Sequence, residues 1–148
     1  MIQELEFKAW SHRDNCFIAA FAINKHGFFR ESPVMNWIIL NQQKEIEVVP
    51  FIGVSIKSGR RIFLKDILAI PDTDTEFIHG QGSGPTYPIS HLVEVVFQDG
   101  CFGVMITNRN GDNFAAGFLP LSELMLDSRW PEVEIIGNSF ENPEYLKG

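Results

Sequence analysis

The residues of this 148-residue chain that could carry out chemistry are four histidines, two cysteines, three close carboxylate pairs, a glycine-rich stretch and a basic cluster. His12, His26, His79 and His91 are scattered, with no HxH or HxxxH spacing to bring two imidazoles onto one metal ion. Cys16 and Cys101 form no CxxC and have no zinc-like spacing. Both sit in apolar, strand-like runs, where a reduced thiol packed in the core is the ordinary reading and a nucleophile beside a histidine base the exceptional one. Glu4/Glu6, Glu45/Glu47 and Glu132/Glu134 each place two carboxylates on one strand face. Glycoside hydrolysis needs such a pair about 5–9.5 Å apart with one pKa raised. Interleaved with apolar residues, these pairs are expected to face water and stay ordinary. Gly80-Gln-Gly82-Ser-Gly84-Pro85 lacks the Gly-Lys-Ser/Thr that opens a phosphate-binding helix, and Pro85 and Pro88 follow it, so it reads as a loop. No catalytic residue, metal-ligand set or cofactor site is expected.

One positive feature remains. Lys57, Arg60, Arg61 and Lys65 hold a third of the chain's 12 Lys and Arg within nine residues. On a hairpin they could contact nucleic-acid phosphates. The plainer reading is a charged turn that keeps a sheet edge from pairing with other chains. A net charge of −7 disfavours binding that relies on a broad positive face.

Those residues are positioned by elements that read mainly as strands. Leu5, Phe7 and Ala9 alternate with Glu4, Glu6 and Lys8, and a turn at 11–15 leads to Cys16–Ile23, which predicts an opening hairpin. Ile46–Ile52 alternates too, with Pro50 favouring an edge or bulge. Lys57-Ser58-Gly59-Arg60 reads as a turn in which Gly59 takes positive φ. Ile62–Leu64 and Ile67–Ile70 are short strands broken at Lys65-Asp66. Gln98-Asp99-Gly100 joins His91–Phe97 to Cys101–Thr107, and Asn110-Gly111 precedes Phe114–Phe118. Leu121–Leu126 suits one or two helical turns and Glu132–Ile136 a last strand. The run VMNWIIL fits helix or strand equally. Pro71–Ser90 has three Gly, three Pro and little apolar periodicity, and reads as a long inserted loop, flexible or arm-like. The expected fold is mostly β (a β-rich α+β chain) with antiparallel strands in a small barrel-like sheet and one or two short helices, all in a single domain, 1–148. With 45% hydrophobic residues the chain can form a core, yet it has no apolar run of about 20 residues to span a bilayer and no signal-like start, so a cytoplasmic location with no membrane contact is expected.

The tail follows a different logic. Gly137-Asn138 allows a reversal, Asn142 can cap a helix, Pro143 suits its first position, and Glu144 complements the dipole. So short a turn holds only if Phe140, Tyr145 and Leu146 bury against something, either the chain's own sheet or a second copy.

VEIIGNSFENPEYL resembles the closing motif of the YopX-like family of bacteriophage and prophage proteins. LEFKAW, with Ala9 and Trp10, resembles the family's opening strand. FIGVSIKSGRRIFLKDIL resembles its middle pattern through Gly53, Gly59, Asp66 and Ile67, with Leu64-Lys65 where the family usually has Glu-Gly. VVFQDGCFGV and FLPLSEL fit as well, so the resemblance covers about two thirds of the chain and skips 71–90. It implies a phage or prophage origin, a β-rich fold and residence in the bacterial cytoplasm, and it brings no activity or catalytic residues. The reading that follows is a non-catalytic accessory protein that self-associates and binds an unidentified host or phage protein. Nucleic-acid binding through the 57–65 hairpin is the alternative.

Overall fold

The computed structural model describes residues 6–18, 21–23, 28–30, 38–39, 45–78, 82–106 and 117–146. The chain is mostly antiparallel β, and one of its sheets curls into a half-barrel. It divides into two compact units, Met1–Phe51 and Ile52–Gly148.

In the first unit, β1 (Phe7–Ser11) pairs with β2 (Cys16–Phe17), as the opening alternation implied, and on its other side with the first half of β6 (Ile46–Ser55). Asn15 takes φ +54 in the connecting turn, a conformation Asn tolerates better than most residues. Ala9, Trp10 and Val49 are buried, and Trp10 meets Phe17 edge to face at 4.9 Å. Phe51 N–H donates to the Glu6 carbonyl, so the neighbouring position, Pro50, directs its missing donor the other way. A proline is tolerated mid-strand for that reason. β3 (Ala22–Ile23), β4 (Phe28–Arg30) and β5 (Ile38–Ile39) form a small sheet in that order. The Ile38–Ile39 part of VMNWIIL is therefore strand, and the rest of that run lies outside the described residues.

The second unit begins in the other half of β6, which turns back into β7 (Arg61–Phe63). A five-stranded sheet follows in the order β11-β10-β9-β8-β12, made from β8 (Asp66–Ile78), β9 (Gly82–Gln98), β10 (Cys101–Ile106), β11 (Gly117–Pro120) and β12 (Glu134–Asn138). Between β11 and β12 lie the single-turn helix α1 (Leu121–Leu124) and a 3-10 turn at Trp130–Glu132. A second 3-10 turn, Pro143–Leu146, follows β12. Leu68, Ile70, Val93, Val95, Val104 and Ile135 share one face of the sheet and are buried with Ile62, Leu121 and Leu124. Each such aliphatic contributes about 1.5–3 kcal/mol, which makes this cluster the main source of the unit's stability. The Asp99-Gly100 turn has φ of +54 and +83, the left-handed pair that a two-residue hairpin requires. The expected Asn110-Gly111 turn lies outside the described residues.

The reading of 71–90 as a long loop is corrected. Residues 71–78 belong to β8 and 82–90 to β9, paired from Ile67↔Glu94 out to Ile78↔Gly82 with one register shift between Thr75 and Phe77. The strand signal there is polar: Thr73, Thr75 and Phe77 alternate with Asp72, Asp74 and Glu76, and threonine is a good strand former that hydrophobic counting overlooks. Pro85 and Pro88 suggest a break, but Pro85 falls at the register shift, outside the regular pairs, and no third strand pairs with that part of β9 among the described residues, which leaves an unpaired edge that a proline can face.

Candidate functional site

The basic turn connects β6 to β7. Gly59 N–H donates to the Ile56 carbonyl at 2.9 Å and Ile56 N–H to the Arg60 carbonyl at 3.0 Å, with Gly59 at φ +95. This tight closure leaves Lys57, Ser58, Gly59 and Arg60 exposed. They border an open cleft of about 470 Å³ whose other wall is Pro131 to Ile135. Arg60 donates Nη1–H to the Ile135 carbonyl at 3.2 Å, filling an acceptor on β12, the last strand of its sheet. Lys57 and Arg60 thus line one cleft with Glu132 and Glu134 opposite. Arg61 and Lys65 are not in that lining, so the four basic residues do not form one patch around it.

Lys65 belongs to a different arrangement. At the Leu64-Lys65 turn Lys65 takes φ +72, a conformation that suits glycine. Three contacts hold it there. Its N–H donates to the Val95 carbonyl and its own carbonyl accepts from Ser139 N–H, both at 2.9 Å. Asp66, 6% exposed, accepts from Phe63 N–H at 2.8 Å. The Lys65 ammonium lies 5.2 Å from the centre of the Phe140 ring, a cation–π contact. Beyond it, Asn138 Oδ1 accepts from the N–H groups of Phe140 and Glu141, and Asn142 Oδ1 from Asn138 N–H. The Pro143–Leu146 turn then lies against β9, with Phe140, Tyr145 and Leu146 half-buried.

A third cluster was not foreseen. His91, 3% exposed, donates Nε2–H to Asp72 Oδ2 at 2.8 Å, and Arg129 donates Nη1–H to the same oxygen at 2.7 Å. Arg129 also bonds Asp127 through Nε and Nη2, both at 2.8 Å. Those bonds hold the Asp127 carboxyl at about 2, against an ordinary 3.8, despite the opposing effect of burial. The Arg129 pKa is raised in turn, mainly by the Asp127 bonds. An imidazole oriented by a carboxylate is half of a nucleophile-activating device. With its ring closed off from solvent, His91 is poorly placed to reach a substrate proton. The arrangement instead ties the segment after α1 to β8 and β9. Residues 72, 91, 127 and 129 fall in no motif. The available signal was His91 itself, a polar ring at a buried position of a strand, which needs a partner.

The expectation of core cysteines is corrected. Cys16 is exposed and Cys101 half-buried, both as free thiols, and Cys101 Sγ donates to the Gln98 carbonyl at 3.6 Å. Each is the first residue of its strand after a turn, short of where alternation reaches the core. Among the described residues no group of three or more His, Cys, Asp or Glu could hold a metal ion, and no helix is long and apolar enough to cross a membrane.

Antiparallel β sheets, one of them curled, short helical turns and a tail held by asparagine bonds define the class of molecule. The chain belongs to the YopX protein family, whose model matches residues 6–147. No curated protein matches it. The fold is similar to the crystal structure of protein EF1440 from Enterococcus faecalis, with a TM-score of 0.57 and 17% identity over 99% of this chain and 100% of that one.

Proposed function

We propose that this chain is a non-catalytic phage or prophage accessory protein that works in the bacterial cytoplasm by binding another protein, and that it self-associates. One observation carries the reading. β10 pairs with β9 over residues 94–98 and β12 with β8 over 66–69, so the ribbon from Ile70 and His91 out to Ile78 and Gly82 has no flanking strand among the described residues. A two-stranded ribbon is only marginally stable in water by itself. This one is held at its base by Asp72, His91 and Arg129, while Thr73, Pro85, Thr86, Pro88 and Ser90 are exposed. An arm of this kind gains order by laying its free edges or faces on a partner.

The test is to replace residues 75–86 with Asn-Gly, which closes the arm between Asp74 and Tyr87 in register. In pull-downs from nuclease-treated bacterial lysate, a partner retained by the wild type and lost by the shortened chain, at an unchanged melting temperature, is the expected result. Equal capture by both would count against it.

Nucleic-acid binding by Lys57, Arg60, Arg61 and Lys65 finds less support, because Glu132 and Glu134 face the first two and Lys65 sits over Phe140. Salt-sensitive binding of DNA that weakens in Arg60→Glu plus Arg61→Glu would favour that reading instead.

A further inference from the structure

We infer that the cleft beside the Lys57–Arg60 turn is the surface through which two copies of this chain associate, the basic turn of each seating against Glu132 and Glu134 of the other. This rests on the self-associating part of the reading above and gives it a location. Two cations line one wall and two anions the other, all four exposed, and among the described residues no ion pair joins the walls. A nucleic acid would meet two carboxylates there, and a basic peptide would meet Lys57 and Arg60. The fitting occupant carries both signs in matching positions. A second copy related by a two-fold axis does so by construction, because a self-complementary contact sets residue i against j and j against i.

The shape agrees with the charge. Lys57, Ser58 and Gly59 form an exposed turn, which supplies a projection, while the segment from Pro131 to Ile135 borders the recess beside it. Ile56, Val133 and Ile135, each less than a tenth exposed, also line the cleft and can exclude water from the ion pairs. Arg60 already occupies the Ile135 carbonyl, so the association runs through side chains rather than by adding a strand to β12.

The experiment is light scattering coupled to size exclusion over a range of concentrations and salt. The samples are the wild type, a Lys57→Glu plus Arg60→Glu variant, a Glu132→Lys plus Glu134→Lys variant, and an equimolar mixture of the two variants. The wild type should be dimeric, and each variant should dimerise at least about ten-fold more weakly, since like charges then oppose each other. The mixture should restore a dimer with one chain of each kind, because an all-acidic cleft meets an all-basic one. That rescue requires both variants to be folded, so it separates a lost contact from a lost fold. A wild-type dimer that both variants retain overturns this surface and leaves self-association standing. Variants that weaken the dimer without rescue on mixing also overturn it. A monomeric wild type removes both this surface and the self-association it rests on.

Discussion

Lys65 stands in a backbone conformation that suits glycine, at φ +72, and is held there by bonds through its own N–H and its own carbonyl. Left-handed geometry costs an L-residue about 1–2 kcal/mol. Lys65→Ala keeps that strain and loses the Phe140 contact, whereas Lys65→Gly loses the contact and the strain together. The glycine variant should therefore be more stable than the alanine variant by about 1 kcal/mol in urea unfolding. Asp127 gives a prediction in pH. Its folded pKa of about 2 lies below the ordinary 3.8, so its stabilising effect is complete above the unfolded value and fades as pH falls through the folded one. Between pH 5 and 2 the urea midpoint should fall less in Asp127→Asn than in the wild type. Some residue detail is readable from local backbone chemistry, as at Gly59 and Asp99-Gly100, whereas Asn142, expected to cap the closing turn, directs its Oδ1 back to Asn138 N–H. The surroundings of Cys16, Cys101 and His91 are not readable in that way, because burial depends on which strand lies alongside, and spacing along the chain does not record that.

The β8–β9 ribbon makes the same point for elements. Its inner half was legible from Ile67–Ile70 and from His91–Phe97, where aliphatic alternation marks a core face. Its outer half alternates threonine with acids and contains three prolines and three glycines between 71 and 90, a texture shared with loops. Strand pairing was decided there by geometry continuing from the inner half. Asp72 sits where the two halves meet and accepts from both His91 and Arg129. Asp72→Ala should lower stability by about 1.5–3 kcal/mol, the scale for lost bonds to a charged group. It should also speed amide exchange in 73–78 and 82–90 more than in 66–70, which hydrogen exchange with mass spectrometry would register. At the other end of the sheet, a Cβ on Gly137 would collide with the Asn142 side chain. Gly137→Ala should displace the Asn142 bond to Asn138 and lower the melting temperature, while Gly59→Ala would strain only the backbone of an open turn.

For the whole molecule, the tail shows how local sequence and distant packing divide the work. Asn138, Asn142 and Pro143 set the reversal, and this much could be read from the chain. That it lies against β9 depends on a sheet assembled from residues far away. The sheet face opposite the main core carries Leu92, Val96 and Met105, all half-buried. A chain ending at Ser139 should uncover the part of β9 that the closing turn lies against, bind a hydrophobic dye more strongly and scatter more light on concentration. The pairing of β12 with β8 has a consequence in time. β8, β9 and β10 are joined by short connections and can pair as soon as they are made, whereas Glu134 meets Ala69 across 65 positions of chain. Non-local closure of this kind is slow. On the ribosome, β8 therefore spends most of the second unit's synthesis with one side open, and that side is covered only when β12 emerges to pair with it.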